Sequence, residues 1–245
     1  MKREIIRAEN FTFSVSPVFL ISLYVTFVLS YVLTYWSACF FQYSECKAYR
    51  TQSLSNFLYT DPRYAAPAAI FGVLACVCQR SIQIAFEMAV RTGLKKIAMY
   101  STNFDSYALY VTLETFGWIS VIGTISYLSV SSVSSSLNVV YDTFHSGAVI
   151  LTYFARTVWS VCAYIALHDI FNNMSLFFIW TTLSFMLSAT GATFNVLRFC
   201  GVELFRTFPG NLYFAYIETA IILADLITTC YVYQVVRYKL NNSRV

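Results

Sequence analysis

The chain has 245 residues, of which 58% are hydrophobic and 11% are charged, and its formal net charge is +4. A soluble domain has about 25% charged residues, so this composition excludes an ordinary water-soluble fold and indicates a protein of the bilayer. The small net charge, with no basic run interleaved with aromatic residues, argues against a nucleic-acid-binding surface.

Six segments are apolar over about 20 residues, which is the length that crosses the hydrocarbon core as a helix. Helices are required, because lipid offers no partner for backbone polar groups and no segment alternates as a barrel strand does. The sequence therefore predicts an all-α integral membrane protein in which residues 1–245 form one domain, a six-transmembrane helix bundle. The predicted spans are residues 15–36, 64–90, 107–128, 143–167, 175–197 and 212–236.

The basic residues predict the orientation of the bundle. Six spans place both termini on one side, and the positive-inside rule predicts that both termini are cytosolic. Nine Lys and Arg residues are cytosolic in this arrangement, five are lumenal and two lie within the membrane. The first span is too long for the h-region of a cleaved signal, about 7–15 residues, so we expect it to stay in place.

Ionisable residues interrupt four of the predicted spans, and they lie at similar depths. At about 1.5 Å per residue, they are about 20–24 Å from the lumenal ends of their helices. They are Arg80, Glu114, Arg156 and Asp225. A charge at the bilayer centre costs about 2.5–3.5 kcal/mol, so we expect one neutral, mutually paired cluster. The sequence leaves open whether this cluster only holds the helices in register or also has a function.

Polar residues also recur at helical spacing, so that each set shares one face of its helix. Because exposing such a face to lipid is costly, each set is predicted to face the interior of the bundle. The sets are Arg80, Gln83 and Glu87 on the second span, His145 and Arg156 on the fourth, and Glu218 and Asp225 on the sixth.

His145 and Glu218 are the candidate catalytic residues. Both are predicted to lie near the lumenal surface, about 4 Å and 9 Å deep, where a histidine oriented by a carboxylate can act as a general base. The alternative is an interfacial histidine capped by Asp142 or by water. The sequence contains no GxSxG, HExxH or P-loop motif, and its two histidines and scattered cysteines predict neither a metal site nor a cofactor.

The first predicted lumenal loop, the third span and the last loop and span carry a pattern spread over most of the chain. Its segments are Cys46-Lys-Ala-Tyr, Ser53-Leu54-Ser55, Asp61-Pro62-Arg63-Tyr64, TISYLSVSS after the acidic third span, Arg198-Phe199-Cys200-Gly201 and Leu212-Tyr213-Phe214-Ala215-Tyr216-Ile217-Glu218. From about Cys46 to Asp225, this pattern resembles the post-GPI-attachment to proteins factor 2 family. The same superfamily includes DRAM-type autophagy modulators of the lysosome.

The resemblance implies a multi-pass protein of the Golgi apparatus and endoplasmic reticulum membranes. It implies a role in GPI-anchor lipid remodelling: the protein is needed for reacylation of lyso-GPI with a saturated chain, and so for stable surface display of GPI-anchored proteins. The implied partners are the GPI-anchor lipid or lyso-GPI, membrane lipids and other GPI-remodelling proteins. Cys46 and Cys200 match family positions, and the resemblance implies that they form a disulfide between the first and fifth loops.

Four functional alternatives remain open at this stage. The chain either transfers an acyl group to lyso-GPI or serves as a non-enzymatic scaffold for a separate acyltransferase. A DRAM-like lysosomal autophagy modulator shares the six-span layout, and a small transporter could use the buried charges as its pathway. The absence of an inverted repeat and of broken helices argues against the transporter.

Overall fold

The structure, a computed structural model, describes residues 17–42, 62–98, 106–129, 139–171 and 214–242, together with single positions between 182 and 200. The long helices are α1 (Pro17–Gln42), α2 (Pro62–Ala98), α3 (Ser106–Ser129), α4 (Val139–Phe171) and α5 (Phe214–Asn242). No strand occurs among these residues, so the all-α prediction is confirmed for the part of the chain that the structure describes.

Four of these helices are long and apolar enough to cross a membrane, as the first four predicted spans require. They are Val18–Ser37, Ala66–Arg91, Tyr107–Leu128 and Gly147–Ala166. These helices indicate a multi-pass membrane protein. The number of six spans and the cytosolic termini stay predictions, because residues 1–16 and 243–245 lie outside the described part of the chain.

The fifth and sixth predicted spans are helical where the structure describes them. α5 covers most of the sixth span. Within the fifth, the Thr190 hydroxyl donates to the Met186 carbonyl at 2.7 Å, and the Thr193 hydroxyl donates to the Ala189 carbonyl at 2.8 Å. Such bonds to the residue four positions earlier are made in helices.

Two of the helices begin at a proline. Pro17 is the first residue of α1 and Pro62 is the first residue of α2. Proline suits this position, because the first N–H groups of a helix have no partner within it and the ring already fixes a helical φ. In the sequence, Ser16 and Asp61 precede these prolines, and both are residue types preferred at helix N-caps.

The central helix of the bundle is α2, which packs against α1, α3, α4 and α5. Near its start, Ala68 packs with Tyr31, Tyr35 and Leu128, and the rings of Trp36 and Tyr216 lie 5.1 Å apart. The ends of α1 and α3 therefore meet the starts of α2, α4 and α5. We call this the tyrosine end of the bundle. At the opposite end, the buried residues include Phe86, Val90, Leu113 and Trp159.

The α3–α4 interface is the most extensive in the bundle and is built on small residues. A Cβ on Gly123 of α3 would collide with the Thr152 hydroxyl of α4 and lie 3.3 Å from the Ala148 carbonyl oxygen. Ala155 and Ala163 of α4 are fully buried. Close approach of the two backbones is favoured because lipid provides no hydrophobic drive for association, so packing contacts must supply it.

We therefore expect Gly123→Ala to destabilise the bundle by about 1–3 kcal/mol, the usual cost of overpacking. The β-branched Thr152 has little freedom to turn away. Gly147→Ala, also on α4, is the matched control, since a Cβ there meets nothing within 4 Å. The measurement is the free energy of unfolding in detergent micelles. Equal stability of the two variants would contradict the close α3–α4 contact.

Candidate functional site

The predicted polar stripe of α2 faces the interior of the bundle. Arg80, Gln83 and Glu87 are 4%, 4% and 3% exposed, which confirms the orientation predicted from their spacing. Arg80 Nη1 donates to Glu87 Oε1 at 2.6 Å, and Nη2 donates to Glu87 Oε2 at 2.9 Å. This two-point contact between guanidinium and carboxylate is the strong form of an ion pair.

Side chains from α3 and α4 enclose this pair. Trp159 Nε1 donates to Glu87 Oε1 at 3.1 Å, and Arg80 Cζ lies 4.6 Å from the centroid of the Trp118 ring. Gly117 provides the space, because a Cβ there would collide with Arg80 Nη1 and lie 2.9 Å from Glu87 Oε1. The pair is thus locked between three helices, which is the geometry of a structural contact.

A second ion pair joins α4 to α5. Arg156 Nη1 lies 3.4 Å from Asp225 Oδ2, and the two side chains are 11% and 16% exposed. The guanidinium also donates to the hydroxyls of Ser120 at 3.3 Å and Thr124 at 3.4 Å. Asp225 has a much shorter contact with Gln79, whose Nε2 donates to Oδ2 at 2.6 Å.

The two pairs differ in how tightly each arginine is held. A protein N–H···O bond is usually about 2.7–3.2 Å long, and neither Arg80–Glu87 contact exceeds that range, at 2.6 Å and 2.9 Å. The described contacts of Arg156 are all longer, at 3.3–3.4 Å. Arg156 is therefore held by longer contacts than Arg80, although the Nε of Arg80 has no hydrogen-bond partner among the described residues.

Three of the four residues predicted to form one cluster, Arg80, Arg156 and Asp225, belong to these two pairs. Arg156 and Asp225 contact each other, as the cluster requires. Arg80 instead binds Glu87, which lies two turns further along the same face of its own helix. Glu114 hydrogen-bonds with Tyr110 and interacts electrostatically with Glu87. A carboxylate on the same helix face meets the need of Arg80 for a partner, and the described ion pairs are these two. A single cluster of all four residues stays a prediction.

Both candidate catalytic residues are buried at the tyrosine end. His145 Nδ1 lies 3.1 Å from the backbone oxygen of Tyr127, and the two rings meet edge to face with centroids 5.9 Å apart. Glu218 interacts electrostatically with Tyr31, Tyr127 and Tyr153. Tyr127 is thus in direct contact with His145. The catalytic role of His145 and Glu218 stays a prediction.

The contact of His145 with Tyr127 defines the state of the imidazole. A carbonyl oxygen only accepts hydrogen bonds, so Nδ1 carries the proton in this contact. In the neutral ring the lone pair then belongs to Nε2. This tautomer, assigned from the hydrogen-bond partner, leaves Nε2 as the nitrogen that can accept a proton.

A cavity of about 40 Å³ lies between all five long helices. A water molecule needs about 10–15 Å³, so the cavity has room for a few groups of that size. Polar residues line one side of it: Tyr24, Tyr31, Cys76, Gln79, Thr124, Tyr127, Arg156 and Asp225. Tyr127 connects the cavity to the candidate catalytic residues, because it lines the cavity and also holds His145 through its carbonyl.

Sequence analysis did not identify Gln79, Tyr127 or Trp159 as site residues. Gln79 had a usable signal, since it is a polar residue within an apolar span and lies one turn before Gln83. Tyr127 and Trp159 had none, because the chain contains 19 Tyr and 4 Trp and most aromatic residues of a membrane protein are anchors or packing residues.

The predicted disulfide joins a described cysteine to one that is not described. Cys200 is an exposed free thiol, and Cys46 lies outside the described residues. Pairing of the two stays a prediction.

No protein-family model, curated protein or solved structure matches the chain. Membership of the post-GPI-attachment family therefore stays a prediction that rests on the sequence segments quoted above.

Substitutions in the Arg80–Glu87 pair test its structural role. Glu87→Gln leaves Arg80 charged and buried without its carboxylate, so we expect a loss of about 3–5 kcal/mol in the free energy of unfolding. The double variant Arg80→Gln/Glu87→Gln removes both charges and is expected to recover most of that loss.

Glu114→Gln is the matched control, with an expected change below about 1 kcal/mol because Glu114 is only half-buried and lies near a like charge. All variants are compared by chemical unfolding in micelles. A double variant as unstable as Glu87→Gln would show that the ion pair is not the cause.

Proposed function

We propose that the chain acts in GPI-anchor lipid remodelling, where it takes up lyso-GPI and is needed for its reacylation with a saturated chain. The observation that supports this most is a cavity inside the bundle with both polar and apolar lining residues, one of which, Tyr127, is hydrogen-bonded to the buried His145. A lipid substrate has a polar region attached to apolar chains, and it needs a site of this mixed character within the membrane. The assignment to GPI-anchor remodelling itself comes from the sequence resemblance.

In the enzymatic form of the proposal, His145 and Glu218 act on the acceptor hydroxyl of lyso-GPI. Nε2 of His145 takes the hydroxyl proton while the hydroxyl oxygen bonds to the acyl carbonyl carbon. The bond from that carbon to the leaving group then breaks, and the proton passes to the leaving group. Glu218 stabilises the imidazolium that exists between the two steps.

The proposed location is the Golgi apparatus and endoplasmic reticulum membranes, with the lipid head group on the lumenal side. Support comes from the tyrosine end, where His145 and Glu218 lie close to the starts of α4 and α5. In the predicted topology these helix starts are lumenal. A reaction on a lipid head group at the lumenal surface requires the catalytic residues to lie at that end of the bundle.

A non-enzymatic role is the second candidate, and the setting of His145 favours it. The imidazole is both hydrogen-bonded to Tyr127 and packed against its ring. Such contacts fix α4 against α3 even if the histidine performs no chemistry. In this case the bundle presents lyso-GPI to a separate acyltransferase.

Deleting the gene tests the pathway itself. We expect lyso-GPI to accumulate on GPI-anchored proteins and their surface level to fall, because an anchor with one chain is held weakly in the bilayer. The measurements are lipid analysis of the anchors and surface labelling. Surface display of a protein with a transmembrane helix is the control. Fully remodelled anchors in the deletion would contradict the proposed function.

Two variants of His145 separate catalysis from positioning. His145→Gln keeps a donor for the Tyr127 carbonyl but has no basic nitrogen, whereas His145→Ala loses both. We expect neither variant to restore remodelled anchors in deleted cells, although His145→Gln should be as abundant as the native protein. Restoration by His145→Gln but not by His145→Ala would favour the scaffold. Full restoration by His145→Ala would eliminate any role of this histidine.

A further inference from the structure

We infer that the cavity beside Arg156 binds the ester carbonyl group of an acyl lipid. The inference rests on the proposed function, because it names the acyl donor as an ester lipid and assigns its reacting group a place. Arg156, which lines the cavity, is the binding residue.

The cavity offers hydrogen-bond donors, and its carboxylate is already engaged. Arg156 has several N–H groups in a rigid fork, and its described contacts are long, at 3.3–3.4 Å. Thr124 donates its hydroxyl proton to the Ser120 carbonyl at 2.8 Å, and the hydroxyls of Tyr31 and Tyr35 are bonded to each other at 2.8 Å, so Arg156 is the donor of this cavity. Asp225, in contrast, is held by Gln79 at 2.6 Å. A ligand group that matches a cavity with a loosely held donor and an engaged carboxylate is one that only accepts hydrogen bonds, as a carbonyl does.

The charge of the cavity favours a neutral ligand. Arg156 and Asp225 balance each other, so a phosphate or carboxylate would add a net negative charge next to Asp225. Unbalanced charge inside the membrane is costly. An ester carbonyl adds none, and its oxygen gains a charge-assisted hydrogen bond from the guanidinium.

Size and polarity point to the same group. The volume of about 40 Å³ suits a carbonyl and its ester oxygen better than a whole phosphate group. The remaining wall of the cavity is apolar and includes Val28, Ala75, Leu128 and Ile222. Every ester carbonyl of a membrane lipid continues into an acyl chain, which requires an apolar wall of this kind next to the polar contact.

The other buried arginine is placed differently. Arg80 has both terminal nitrogens on Glu87 and the face of its guanidinium over Trp118, and its Nε has no hydrogen-bond partner among the described residues. It is absent from the cavity lining. The distinction between a locked and a loosely held arginine therefore assigns ligand binding to Arg156.

The test compares two photoactivatable phosphatidylcholine probes with the same chains and head group, one ester-linked and one ether-linked. The ether probe lacks only the carbonyl oxygens. With the purified full chain in micelles, we expect the ester probe to bind about 10- to 100-fold more tightly, the effect of a hydrogen bond to a charged group. Arg156→Gln is expected to abolish this preference.

Two further variants keep the test decisive. Arg156→Gln/Asp225→Asn removes both charges, so it leaves no unpaired buried charge if the single variant does not fold. Arg91→Gln is the matched control, because this arginine is exposed and lies over Tyr110, away from the cavity. We expect the double variant to lose the preference for the ester and Arg91→Gln to keep it.

Equal binding of the ester and ether probes overturns the inference, as does an ester preference that survives in the double variant. Displacement of the ester probe by inorganic phosphate overturns it in favour of an anion site. The assay contains no GPI, so its result is separate from that of the gene deletion. Ester preference with normal anchors in deleted cells would reject GPI remodelling and retain the carbonyl site.

Discussion

The cost of charge inside a membrane is the constraint on which the interior of this bundle depends. Lipid supplies no water to solvate a guanidinium or a carboxylate, so every buried charge must find a partner within the protein. In the described structure, Arg80 and Arg156 each have a carboxylate partner. The helix contacts follow from this requirement, because the partners and their supporting side chains come from α2, α3, α4 and α5.

The two arginines obtain a carboxylate partner in different ways. On that basis we assign a structural role to the Arg80–Glu87 pair and propose a binding role for Arg156. Arg80 pairs with Glu87 of its own helix. Trp118 lies against the guanidinium, and Trp159 donates a hydrogen bond to the Glu87 carboxylate. Arg156 must reach another helix for Asp225 and does so at a longer distance, beside a cavity. A pair held by two short hydrogen bonds contributes rigidity, whereas a pair held by longer contacts can exchange part of them for those of a ligand.

Periodicity predicted the helices and the inward-facing side of each one, because both depend on local spacing that a single sequence contains. The stripe of Arg80, Gln83 and Glu87 is an example, and its burial follows from positions three and seven residues apart. Depth along a helix placed Arg156 and Asp225 at one level but did not identify Glu87 as the partner of Arg80, because residues at equal depth can lie on opposite sides of a bundle. Pairing Arg156 with Asp225 required the rotation of α4 and α5 about their axes, which only the packed structure supplies.

Tyr127 shows most clearly why a site of this kind is hidden from the sequence. Its functional contact with His145 is made by a backbone carbonyl, which every residue possesses. Its ring lines the cavity that contains Arg156 and Asp225. One residue near the end of α3 therefore couples the position of a candidate base to the shape of a candidate binding site. A shift of α3 against α4 moves both together, so the close packing at Gly123 and Thr152 belongs to the site as much as to the fold.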